Sequence, residues 1–200
     1  MSLDALVLRA RERLSERAFA DGLARVAVDV TDTPLGPLWL ALGPRGVLSI
    51  HYGVEPSQRY LTRIVARYGP GVLRAPKRLD PVKRQLEEYF RGTRRRFELE
   101  VDLTALTPFQ RRVLAATRRV DFGDRATYRE VATRAGNARA TRAAGAALGA
   151  NPVSIVVPCH RVVASDGTLG GYGGGLEAKR FLLSLERGDV PEGGWPSRRA

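Results

Sequence analysis

The apolar pattern of this chain changes near residue 104, and that change limits what the chain can fold into. Before the stretch TALTPFQ (104–110), apolar residues fall in short runs between turns; after it, they sit in stretches rich in alanine and glycine. A period of two marks half-buried strands, and a period near 3.6 marks helices. The chain therefore reads as an α/β N-terminal domain over residues 1–103 and a mostly α C-terminal domain over 104–187. Residues 188–200 form a tail expected to be flexible. There is one cysteine in 200 residues, so no internal disulfide can form and the fold rests on its core. A hydrophobic fraction of 44% is enough to build one.

The first twenty residues predict an amphipathic helix with the stripe Leu3, Leu6, Ala10, Leu14 and Ala18. They lack a signal-peptide core and cleavage site, and Asp4, Glu12 and Glu16 argue against a transit peptide. Val26, Val28 and Val30 alternate as in a half-buried strand. PLWLAL and GVLSIHY predict two more strands joined by the turn GPRG. A helix is expected over Glu55–Tyr68, ending at Gly69-Pro70. Asp80 and Pro81 supply a cap and a first-turn proline for the helix that follows, and RFELEVDL predicts a fourth strand. His51 reads as an ordinary packing or surface histidine.

In the second half, Thr107-Pro108 opens a helix to about Arg119. Thr127 and Glu130 form a capping box, and the helix from Tyr128 stops at Gly136. After the turn GNA, a helix is expected from about Arg139 to Leu148. The pair makes a helix-turn-helix pattern. Its second helix is small-sided: Ala140, Thr141, Ala143, Ala144, Gly145, Ala146 and Ala147 surround a lone Arg142. Major-groove readers carry long polar side chains instead. Two readings remain open: a tightly packed helix pair, or a helix pressed into a narrow groove with one arginine projecting.

Lys and Arg total 33 against 21 acids, a net charge of +12. That excess attracts polyanions, nucleic acid first among them; a solvated arginine-rich composition is the bland alternative. No apolar run approaches the roughly 20 residues that span a membrane. A soluble, cytoplasmic protein is expected.

The lone cysteine lies in NPVSIVVPCHRVV (151–163). Cys159 is adjacent to His160, one of two histidines. A thiolate is the reactive form of cysteine, and an imidazole can act as its base if a third group orients it. Glu186, ending LEAKRFLLSLE, is a candidate for that third group. Between them GTLGGYGGG (167–175) offers backbone N–H groups or close approach, with no phosphate-loop signature. On these residues alone, a buried inert cysteine is the ordinary reading.

IVVPCHRVV, preceded by ATYREVATRAGNARATRAAGAALGANP and followed by GGYGGGLEAKRFLLSLE, resembles the O6-alkylguanine-DNA alkyltransferase family, also called methylated-DNA–protein-cysteine methyltransferases. The resemblance is strong over about 104–187 and general before that. It implies a ribonuclease-H-like N-terminal domain without nuclease activity and a winged-helix-like C-terminal domain. It implies irreversible transfer of an alkyl group from guanine O6 in double-stranded DNA to Cys159, once per molecule, after flipping of the nucleotide from the minor groove.

By the same resemblance, His160 acts as base through a water, Glu186 holds the imidazole, and Asn151 supports the active-site turn. Tyr128 donates to the guanine ring. The N–H groups of Tyr172 and Gly173 face O6, and the carbonyls of Cys159 and Val162 accept from the exocyclic amine. Arg142 fills the gap left by the base. Asn137, Arg129 and Ser165 touch the DNA backbone, and Ala140, Thr141, Ala143 and Gly145 line the groove-facing side. Gly173 stands where a serine is common in the family. No cofactor is expected, and no structural zinc, since the N-terminal half offers His51 and no cysteine. A monomer is expected, with cooperative binding along DNA left open. Three rivals remain: a cysteine hydrolase, which would turn over many times; a non-catalytic lesion-binding relative, which would lack the nucleophile; and a plain DNA-binding protein with a structural cysteine.

Overall fold

The computed structural model describes residues 2–53 and 58–189. The first helix, α1 (Leu3–Ala20), is capped by Ser2, whose hydroxyl accepts from the Ala5 N–H. Three strands follow: β1 (Val26–Thr31), β2 (Leu38–Gly43) and β3 (Gly46–Tyr52). Helix α2 (Gln58–Tyr68), the short β4 (Val72–Arg74) and α3 (Asp80–Phe90) complete the first half. The sheet order is β3-β2-β1-β4, antiparallel except for the β1–β4 pair. The second half holds α4 (Pro108–Thr117), β5 (Ala126–Thr127), α5 (Tyr128–Arg134), α6 (Thr141–Gly149), β6 (Val162–Val163) and α7 (Gly175–Arg187).

Several expectations meet a different outcome. The stripe on α1 is not a buried face: Leu6 is 47% and Leu14 71% exposed. The helix is held instead by ion pairs, Glu12 with Lys77 and Glu16 with Arg78, and by the Arg78 guanidinium lying over Phe19. Strand β1 is covered on both faces rather than one. Val26 and Val28 join Ala41, Leu48 and Ile64 of α2, while Ala27 enters the main core on the other side. Asp29, also buried, is matched by Arg74 and Lys83. The helix expected from Glu55 is seen from Gln58; residues 55–57 lie outside the described residues. Asp80 is the first residue of α3 rather than its cap, because a 3-10 turn over Pro76–Leu79 runs directly into the helix.

The predicted fourth strand at RFELEVDL does not form; β4 takes that place in the sheet, on the far side of β1. Residues 97–103 form no named strand and make one bridge, Val101 beside Val47. The reason is a side chain. The Gln85 amide accepts from the Glu98 N–H at 2.8 Å and donates to the Glu98 carbonyl, so the backbone groups of that residue are satisfied without a ladder.

The capping box at Thr127/Glu130 forms as expected, and a second one at Thr107/Gln110 starts α4. Helix α5 ends before Gly136, which takes the left-handed φ of +91°. Helix α6 starts two residues later than predicted. The Asn137 side chain accepts from the Arg139 N–H, and the Ala140 N–H bonds back to the Asn137 carbonyl, which keeps 137–140 in a turn. Helices α4, α5 and α6 pack on one another.

One buried apolar cluster joins both halves, from Ala27, Leu38 and Ile50 through Leu86 and Tyr89 to Val113, Ala144, Val157 and Leu182. Backbone bonds cross as well: the Ile50 N–H donates to the Pro152 carbonyl at 2.9 Å. Replacing Gln85 with Ala is expected to cost about 1–3 kcal/mol, the range for stranding buried polar partners. Denaturant titration would read that loss, together with faster hydrogen exchange at the Glu98 amide.

Candidate active site

The segment 151–163 folds back on itself. The Val157 N–H donates to the Val153 carbonyl at 2.9 Å, and Ile155 at the turn takes φ +75°. That conformation is costly for a β-branched residue, of order 1–3 kcal/mol, and persists only where the surroundings enforce it. Asn151 is the enforcing group. Its Oδ1 accepts from the Val153 N–H at 3.1 Å, and its Nδ2 donates to the Val157 carbonyl at 2.9 Å and to Cys159 Sγ at 3.2 Å. One amide thus closes the turn and touches the sulfur. Cys159 itself is 8% exposed, at the start of a 3-10 turn.

His160 is fully buried. Its Nε2 lies 2.8 Å from Glu186 Oε1. A carboxylate can only accept, so Nε2 carries the hydrogen and Nδ1 keeps its lone pair. Nδ1 has no hydrogen-bond partner among the described residues. Glu186 is no solvated last-turn residue. It accepts from Tyr89 Oη at 2.7 Å, from Arg161 Nε and Nη2 at 2.9 Å each, and from the Gly123 N–H at 3.2 Å. Burial works to raise this carboxyl, but the His160 and Arg161 hydrogen bonds outweigh it and hold it at about 2. Burial also lowers His160, against the pull of Glu186, so the imidazole is neutral. The Cys159 thiol is pushed up by burial, more than the Asn151 amide and the Lys179 ammonium pull it down. The resting state is a thiol, a neutral imidazole and a carboxylate.

Tyr128 opens α5, half-buried, with its ring beside Gly145 of α6. Burial first, and then the Cys159 charge, raise its phenol above the ordinary value. It therefore keeps its proton and can donate. Gly170, at φ +61°, lets the loop pass the Tyr128 hydroxyl; any Cβ there would overlap the oxygen. Gly173 has open space where a side chain would be, so the glycine at this position is not forced by packing. The Val162 carbonyl already accepts from Lys179 Nζ at 2.7 Å, which leaves it one lone pair for a ligand.

On α6 the buried residues are Ala144, Ala147 and Leu148, whereas Arg142 and Ala143 are exposed and Ala140, Thr141 and Gly145 are half-buried. The helix therefore satisfies both readings of its small residues, with one face packed and another bare. Arg129, Asn137 and Ser165 are exposed. The sequence did not reveal Tyr89, Arg161, Lys179 or Tyr52. Lys179 is buried, donates also to the Leu169 carbonyl, and is lowered by burial to about 8. Among the described residues, no three His, Cys, Asp or Glu side chains converge as metal ligands.

The family model for the DNA binding domain of 6-O-methylguanine DNA methyltransferase matches residues 108–188, and that for its ribonuclease-like domain matches 26–103. The chain belongs to this family. A methylated-DNA–protein-cysteine methyltransferase of Mycobacterium tuberculosis is 39% identical over 164 residues, 80% of this chain and 92% of the relative. One of Salmonella typhimurium is 36% identical over 180 residues, 82% of this chain and 97% of the relative. Among solved structures, Mycobacterium tuberculosis OGT in complex with DNA matches with a TM-score of 0.71 and 36% identity, covering 82% of this chain and 95% of that one. The fold is thus a ribonuclease-like α/β domain joined to a helical DNA-binding domain.

The Glu186 network sets an acid limit on stability. The carboxyl is held near 2 against an ordinary 4.5, so its contribution is complete above about 4.5 and is lost as pH falls toward 2. His160 acts in the same direction, because the unfolded imidazole takes up a proton near 6.5 and the buried one resists it. Unfolding free energy should therefore decline from about pH 6.5 downward. Glu186→Ala should cost about 3–5 kcal/mol, because it strands the buried Arg161 charge. It should also flatten that acid slope in denaturant titrations across pH.

Proposed function

We propose that this protein repairs DNA by moving an alkyl group from O6 of guanine to its own Cys159, once per molecule. One observation carries the reading: Cys159 Sγ is held by Asn151 beside a neutral His160 whose Nε2 hydrogen is fixed by Glu186. The free Nδ1 lone pair is the base, reaching the thiol proton through a water. As the proton leaves, the thiolate attacks the alkyl carbon. The S–C bond forms, the C–O6 bond breaks, and its electron pair stays on guanine. Donors placed where that charge develops lower the barrier. The Tyr128 hydroxyl serves the ring nitrogen, and the N–H groups of Tyr172 and Gly173 serve O6. The carbonyls of Cys159 and Val162 accept from the exocyclic amine.

The target carbon is out of reach inside a duplex, so the nucleotide must leave the stack. The bare side of α6, with Ala140, Thr141, Ala143 and Gly145, suits a minor groove about 6 Å wide. Arg142 would occupy the space of the departed base, with Arg129, Asn137 and Ser165 on the backbone. This division of labour follows a split of the chain at 103/104; the tail expected over 188–200 lies, from residue 190 on, outside the described residues. Acting on chromosomal DNA, the protein would work in the cytoplasm. Among the described residues, no helix is long and apolar enough to cross a membrane.

The thioether product is stable, and no second thiol exists to remove the alkyl group. Incubation with an oligonucleotide bearing O6-methylguanine should add one methyl to the intact mass, on Cys159, with product never exceeding protein. Cys159→Ala should bind the DNA and transfer nothing. Multiple turnovers would favour a hydrolase instead. A second test uses the exposed Ala143. Leucine keeps helix propensity and meets no core there, so Ala143→Leu should melt like the parent. It should lose duplex repair at least about tenfold, the effect of roughly 1.4 kcal/mol, yet keep the reaction with a free O6-alkylguanine base that the parent accepts. Undiminished duplex repair would exclude groove contact at this position.

A further inference from the structure

The last residue of β3, Tyr52, belongs to the ribonuclease-like half yet reaches the active-site loop of the other. Its hydroxyl lies 2.8 Å from the Tyr172 hydroxyl, and the two rings meet edge-on at 6.1 Å. The loop also rests on the Tyr52 ring: a Cβ at Gly174 would come within 2.9–3.0 Å of three of its carbons. Tyr172 in turn stands edge-on to the His160 imidazole, with centroids 6.3 Å apart and planes at 88°. Side-chain contacts therefore run from β3 through Tyr52 and Tyr172 to the imidazole. The same strand donates from the Ile50 N–H to the Pro152 carbonyl, next to Asn151. One strand of the first half thus supports both the cysteine turn and the glycine loop.

That loop needs such support. Gly170, Gly171, Gly173, Gly174 and Gly175 surround Tyr172, and glycine imposes little conformational preference of its own. Its one large side chain is the handle by which the fold can fix it, and Tyr52 holds that handle. Both residues are half-buried, and burial pushes both phenols above their ordinary values, so the pair shares a hydrogen bond between neutral hydroxyls.

We propose that Tyr52 is a positioning residue for alkyl transfer. Acting through Tyr172, it fixes the backbone of residues 172–174 so that the Tyr172 and Gly173 N–H groups meet O6 as charge develops. The role rests on the reading of Cys159 as the alkyl acceptor. The Tyr52 hydroxyl meets Tyr172 rather than the cysteine or the imidazole.

The test is single-turnover repair of an O6-methylguanine duplex, with the limiting rate and the half-saturating concentration measured separately. The variants are Tyr52→Phe, Tyr172→Phe and the double. Tyr52→Phe keeps the ring under Gly174 and removes only the hydroxyl. Its limiting rate should fall about 2–10-fold, the kinetic equivalent of one neutral hydrogen bond. Half-saturation and melting temperature should stay near the parent values. Because both single changes break the same bond, the double variant should be no slower than the slower single one. An unchanged limiting rate, or rate losses that multiply in the double variant, would overturn the role. So would a loss carried entirely by half-saturation or by a lowered melting temperature. A parent that repairs normally while Tyr52→Phe matches it sinks this inference alone. A parent that transfers nothing sinks the proposed function, and this role with it.

Discussion

Four residues from distant parts of the chain converge on one carboxylate. Tyr89 of α3, the Gly123 backbone, His160 and Arg161 all donate to Glu186 of α7. The arrangement does more than orient an imidazole. Arg161 also donates to the Val120 carbonyl at 2.6 Å, so the carboxylate ties the end of α4, the cysteine turn and α7 together through a single anion. Burying that charge is favourable only because every lone pair is used. Within this network the bond from Nε2 to Glu186 fixes the imidazole so that Nδ1 is left to the other side of the ring.

The chemistry of the site was legible before its geometry. Cys159, His160 and Glu186 stand out because their residue types imply a nucleophile, a base and an orienting acid, and the motif around them names a family. Tyr128 came from the family resemblance alone, whereas the capping box at Thr127 could also be read, because caps are local. Tyr89 and Tyr52 could not. Each is an aromatic residue in an ordinary apolar context, and its role comes from a hydroxyl meeting a partner 97 and 120 positions away. Arg161 drew no reading of its own because its partner lies 25 residues on, in another helix.

The fold shows the same division. Helices α4 and α5 were readable because their signals sit within four residues. Strand content was misjudged where a side chain replaced a neighbouring strand, as Gln85 does at Glu98. It was missed where β4 is only three residues long. The stripe on α1 satisfied a helical period and still faces outward, while Glu12 and Glu16 on the same helix pair with Lys77 and Arg78. Periodicity states which residues share a side of a helix; it does not state which side docks.

The apolar cluster shared by both halves has a consequence for how long the thiol stays usable. Ile50 and Leu86 from one half and Val157 and Leu182 from the other fill one interior, while a smaller cluster lies on the other face of β1. A shared interior couples the two halves, so loosening one of them removes packing from the other. An unused copy therefore keeps its cysteine turn in shape for as long as the two halves stay packed on each other.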